Sequence, residues 1–185
     1  ATPLAAQRTH LLIVTGLGGE QQFSESFAKQ GAALYDVART QWRVADSSLT
    51  WLAEDPARDA RRIGGRASKE AVAAALVALS RRVAPGDVVV VALIGHGSGE
   101  GPSSRVNLPG ADPTAAEYAT WIGGFARQTV VFVVAASASG DFATVLKGPG
   151  RVVLTAARTA FERNESLFGA QFVREAVGRQ QVFQG

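Results

Sequence analysis

No cysteine occurs among the 185 residues, and this absence excludes more chemistry than any other feature of the chain. It rules out disulfides, thiolate nucleophiles and metal sites built on sulfur, while leaving the compartment open. Histidine is almost missing as well. The two present, His10 and His96, are far apart and make a poor ligand set for metal hydrolysis. No metal and no other cofactor is expected. No apolar run reaches the ~18 residues of a membrane span, so membrane insertion is not expected. Net charge is only +3. That is little for binding nucleic acid, and no aromatic residues are interleaved with the basic ones for base stacking.

What the chain does have is apolar content of 46% against 19% charge, the balance of a globular protein. Its length suits one domain with a full core. The expected organisation is a flexible N-terminal segment, residues 1–8, and a single domain over residues 9–185.

Two stretches organise that domain. Val130 to Ala136 is an unbroken apolar run rich in valine, which suits a strand buried on both faces. It ends in Ser137-Ala138-Ser139-Gly140. Upstream, Val88 to Ile94 is a run of the same kind and ends in Gly95-His96-Gly97-Ser98-Gly99. Small residues past the carboxyl end of a central strand leave room for a ligand, and open α/β sheets bind ligands at that edge. Tight packing at a strand-to-helix turn also favours small residues. Two such ends, one carrying a histidine and the other serines, weigh more than either alone.

These residues resemble the caspase and legumain group of cysteine peptidases, and the legumain-like branch most. Its Glu-Ala-Cys-Glu-Ser-Gly run matches Ala135-Ala136-Ser137-Ala138-Ser139-Gly140 without a gap, and its His-Gly-Ser matches His96-Gly97-Ser98. The glycine turn after its first strand is similar to Gly16-Leu17-Gly18-Gly19, and its later Thr-Ala-Ala to Thr155-Ala156-Ala157. The spacing from His96 to Ser137 is somewhat shorter than the roughly 50 residues of caspases. The resemblance runs from about residue 10 to about residue 175. It implies a caspase-like three-layer α/β sandwich, a mostly parallel central sheet with helices on both faces. It also implies His96 and Ser137 at the catalytic positions, with the backbone N–H groups of Gly97 and Ser137 forming an oxyanion hole.

The departures decide what activity the resemblance carries. Ser137 stands at the cysteine position. Ala135 replaces the acidic residue two places before it, Ala138 the one just after, and Ser24 falls where legumains carry a pocket arginine. Ser24, Ala135 and Ser139 are therefore the candidate substrate-binding positions. Several changes together point to natural divergence rather than to a single inactivating substitution. A thiol near pKa 8.5 attacks as thiolate with little help, whereas a serine hydroxyl needs a base held in place by a third group. The expectation is a pseudopeptidase without cleavage activity that binds a peptide or protein; its oligomeric state is left open. The alternative is an atypical serine hydrolase using Ser137 with His96. Chain order argues strongly against an α/β-hydrolase, since those enzymes place their histidine after the serine and both histidines here precede it.

The remaining elements follow in order. Thr9 to Thr15 is the first strand. Its glycine turn fails the dinucleotide fingerprint, because the third glycine position is Gln21. Ser24 to Trp42 is an amphipathic helix, and Ser48 to Leu52 a strand. Residues 54–66 form a solvated loop with four arginines, whose charge Glu54, Asp55 and Asp59 dilute. Ser68 caps a helix that runs to about Val83. Residues 99–110 are a loop, and Asp112-Pro113 opens the next helix, whose Tyr118, Trp121 and Phe125 belong to the core. A short helix over 142–146, a strand over 151–156 and a helix over 166–177 complete the alternation. Strand and helix alternating throughout call for a parallel sheet covered on both faces. The start of the chain has neither the basic nor the long apolar part of a signal peptide. The resemblance mildly favours an exported protein.

Overall fold

A computed structural model describes residues 7–158 and Glu175. Residues 1–6 and, Glu175 apart, the helix expected over 166–177 lie outside the described residues. The elements run β1 (Thr9–Thr15), α1 (Gln21–Thr40), β2 (Leu49–Ala53), β3 (Gly65–Arg66), α2 (Lys69–Arg82), β4 (Val88–Gly95), β5 (Gly97–Ser98) and β6 (Arg105–Val106). Then come α3 (Ala115–Trp121), β7 (Thr129–Ala136), α4 (Gly140–Val145) and β8 (Arg151–Thr155).

Six strands form one sheet in the order β3-β2-β1-β4-β7-β8, every neighbouring pair parallel. The valine runs form its centre because both faces are covered. On one face α1 lays Phe27, Leu34 and Ala38 onto Leu11, Ile13, Trp51, Ala92 and Val133. On the other, α2, α3 and α4 lay Leu76, Tyr118 and Phe142 onto Leu12, Val91 and Phe132. Each large apolar side chain buried this way contributes ~1.5–3 kcal/mol. The architecture is thus a three-layer α/β sandwich. No helix of the described residues is long and apolar enough to cross a membrane.

The strand order positions the site. From β1 the chain moves outward through β2 and β3, then crosses back to β4 on the other side of β1. Such a reversal splits the loops at the carboxyl edge and opens a crevice there. Gly16 leaves β1 at that edge and His96 leaves β4 beside it. The opposite edge is closed by a buried polar cluster. His10 Nε2 lies 3.0 Å from Asp87 Oδ2, and the Asp87 carboxylate also accepts the N–H groups of Arg8 and Ala84. His10 is therefore spent on structure, a sheet's length from Ser137.

Several local expectations need correction. Helix α1 begins at Gln21, a turn earlier than its apolar stripe suggests. Asp112 does not cap α3. Its carboxylate accepts the Leu108 N–H at 2.8 Å, and the cap is Thr114, in a reciprocal box with Glu117. A capping box outcompetes an isolated acidic cap because two orphan N–H groups are satisfied at once. The segment over 99–110 is not all loop, since Arg105–Val106 pairs antiparallel with Gly97–Ser98. Within 54–66, Arg62 is not simply solvated: it binds Asp59 and Asp36 and lies over the Trp51 ring at 6.0 Å.

Candidate functional site

Strands β4 and β7 are paired to their last residues, Gly95 opposite Ala136, so His96 and Ser137 are the next residues of each chain at one edge. Alternation continues past the strand ends. Ala92 and Ile94 of β4, and Val133 and Ala135 of β7, all face α1, and His96 follows them onto that face. There its ring stands edge-on to Phe23 and Phe27, with centroids 4.7 and 5.0 Å away. These two aromatics, four residues apart at the start of α1, hold the imidazole by packing. No hydrogen bond of the ring occurs among the described residues. Its backbone is better fixed, since the His96 carbonyl accepts the Asn107 N–H at 2.9 Å and the Asn107 carbonyl accepts that of Leu17 at 2.8 Å.

Ser137 closes the gap between the strand ends. Its Oγ accepts the Gly97 N–H at 3.1 Å and lies 3.5 Å from the Gly97 carbonyl oxygen. Gly97 must be glycine here, because a Cβ would stand 2.0 Å from the Ser137 carbonyl oxygen. Past Ser137 the chain turns sharply into α4 through Ala138, a buried non-glycine residue at φ 52. Left-handed backbone costs an alanine roughly 1–2 kcal/mol and is retained where the surroundings demand it. The Asp141 carboxylate, one turn on, accepts the Gly101 N–H at 2.6 Å and so ties the loop after His96 to α4.

The other predicted positions do not converge on this point. Ser139 is 1% exposed and its hydroxyl accepts the Ala157 N–H at 3.2 Å, which joins the ends of β7 and β8. Ala135 is buried in the core under α1. Ser24 lies one strand away, donating to Glu54 Oε2 at 2.7 Å, an oxygen that also accepts the Gly18 N–H at 3.3 Å. Ser24, Glu54 and Phe27 line a small recess with Thr15, Arg58 and Ile63, and His96 is not part of its lining. Sequence reasoning missed Phe23, Asn107, Glu54 and Asp141. Only Phe23, at the i, i+4 spacing from Phe27 just past the glycine turn, left a usable signal.

Chemically, the site offers one imidazole and one hydroxyl, the latter engaging the Gly97 N–H at the strand edge. Among the described residues no group of three or more histidine, aspartate or glutamate side chains is placed to hold a metal ion.

No protein-family model and no curated protein matches the chain. Among solved structures it is similar to protein GSU0716 from Geobacter sulfurreducens, a structural genomics target, with a TM-score of 0.54 at 12% identity. The likeness covers 94% of this chain and 66% of that one, so the chain spans just under two thirds of that protein's length. At such identity it shows the fold alone.

Proposed function

We propose that the domain is a pseudopeptidase of caspase-like or legumain-like type, which binds an extended peptide at the His96–Ser137 edge without cutting it. One observation carries the reading: the Gly97 N–H donates to Ser137 Oγ at 3.1 Å. In acyl transfer that N–H must instead face the oxyanion of the substrate. The same hydroxyl has the Gly97 carbonyl oxygen as its own acceptor, at 3.5 Å, and makes no hydrogen bond to the His96 ring among the described residues. The His96 ring is held between phenylalanines, and no acceptor among the described residues orients it as the third member that a serine nucleophile needs. On this reading a peptide carbonyl displaces the hydroxyl from the Gly97 N–H, the donor that Ser137 Oγ now occupies.

A second reading has one observation in its favour. The left-handed Ala138 makes the turn after Ser137 sharp, and serine nucleophiles sit on sharp, strained strand-to-helix turns. Hydrolysis by Ser137 with His96 as base is that reading. Incubation of the purified protein with fluorogenic peptides ending in Asn, Asp, Arg or Lys separates the two. The pseudopeptidase shows no turnover. Turnover that disappears in Ser137→Ala establishes the hydrolase instead.

A further inference from the structure

The sheet edge opposite the candidate site holds a second concavity. Arg8 and Thr9 at the start of β1, Trp42 and Arg43 after α1, and Ser48 before β2 border a cavity of about 190 Å³. Room for one water needs only ~10–15 Å³ on this measure, so the cavity has room for a small molecule.

Its charge is positive. Arg8 reaches Asp87 only at 4.0 Å, with 65% of its side chain exposed, and the Asp87 carboxylate is already engaged by two backbone N–H groups and His10. The carboxylate on the same loop, Asp46, is taken by Arg39 at 2.9 Å. Arg43 forms no ion pair among the described residues.

Arg43 also sits at φ 54, in the left-handed region where a chain leaving a helix favours glycine. The end of α1 does not need this arginine. The Val37 carbonyl accepts the N–H groups of Gln41 and Trp42, and that of Ala38 accepts Val44. Arg39 supplies the cation of the last turn and donates to the Val44 carbonyl at 2.9 Å. Arg43 thus combines left-handed backbone, no ion pair among the described residues and a place beside the cavity and Trp42, the kind of outlier from which a ligand role is inferred.

We infer that this cavity binds a small organic phosphate with a planar body. The phosphate oxygens meet Arg8 and Arg43, because guanidinium forks match phosphate geometry. The hydroxyls of Thr9 and Ser48 add neutral donors, and the planar body lies against the Trp42 indole. The site is independent of the peptide edge.

The test is a titration of the ¹⁵N-labelled protein with phenyl phosphate, read at the three tryptophan indole N–H signals. The Trp42 signal shifts saturably, while those of Trp51 and Trp121 stay in place. Inorganic phosphate binds more weakly, and phenol gives no saturable shift. Arg8→Gln weakens phenyl phosphate binding about tenfold or more, the loss of one charge-assisted contact. Arg43→Gly does the same while keeping the fold, since glycine suits φ 54, and its melting temperature does not fall. An unmoved Trp42 signal, saturable binding of phenol, or unchanged affinity in both arginine variants overturns the assignment.

Discussion

Ser137 Oγ lies 3.1 Å from the Gly97 nitrogen and accepts its N–H. This contact clasps the ends of the two central strands and sets the chemistry of the edge. On the proposed peptidase-like reading, the oxygen at the nucleophile position occupies the donor at the oxyanion position. If the proposal holds, an extended peptide that brings its own carbonyl competes for the same N–H.

Gly97→Ala therefore damages both fold and site. Its Cβ would stand 2.0 Å from the Ser137 carbonyl oxygen and 3.2 Å from that of Arg105, both backbone atoms that cannot turn aside. The expected loss is roughly 1–3 kcal/mol, the range of overpacked interiors, measured by urea unfolding. A variant within 0.5 kcal/mol, the scatter of ordinary surface changes, would show that the strand ends are not this close.

Gly31→Ala tests the α1 face in the same way, with two opposed effects. Helix propensity alone favours alanine by ~1 kcal/mol. A Cβ there would lie 2.6 Å from Trp51 Cζ2 and 2.8 Å from Thr15 Cγ2, and Trp51 is held by its indole N–H donating to Thr15 Oγ1 at 3.1 Å. Packing outweighs propensity, and the variant melts lower than the parent. A higher melting temperature would mean that α1 stands further from the sheet.

Asp87→Asn probes the opposite edge. Burial alone would raise the Asp87 carboxyl, but hydrogen bonds from the Ala84 and Arg8 N–H groups and from His10 outweigh it and hold the group below its usual value. A carboxyl lowered on folding adds stability that is complete above its unfolded value, near 3.9, and lost as pH falls through the lower folded value. The variant should lose about 2 kcal/mol at pH 7, the worth of a hydrogen-bonded charge. The gap between parent and variant should then shrink below about pH 4. A gap that stays constant down to pH 3 contradicts this account.

Much of the fold was legible because its causes are local. Val88–Ile94 and Val130–Ala136 are apolar at every position, short and rich in β-branched valine, the pattern of a strand covered on both faces. The α3 cap was misread because Asp112 and Thr114 both look like caps, and only the reach of Glu117 back to Thr114 decides between them. At the site, His96 and Ser137 stood out because each follows a buried strand. Glu54 and Asp141 were invisible, since each acts on a backbone N–H tens of residues away in the chain.

Ser137→Cys converts the edge into a reporter. The introduced thiol is the only one in the chain, and a thiolate is a few per cent populated at neutral pH. Iodoacetamide should label it in the folded protein, faster than in a variant that also carries His96→Ala. Peptide cleavage should not follow, because Ser24 is spent on Glu54 and Ala135 lies in the core. Labelling seen only after denaturation means a closed edge, and peptide binding there would have to be abandoned.

The most direct measurement is a titration of the ¹⁵N-labelled protein with a pool of extended peptides, followed at the Gly97 and Ser137 amide signals. Both signals should shift saturably as a peptide carbonyl replaces the Ser137 hydroxyl, and mass spectrometry should recover the peptides intact. Unmoved signals at saturating peptide, or recovered fragments, would contradict a domain that binds peptide without cutting it.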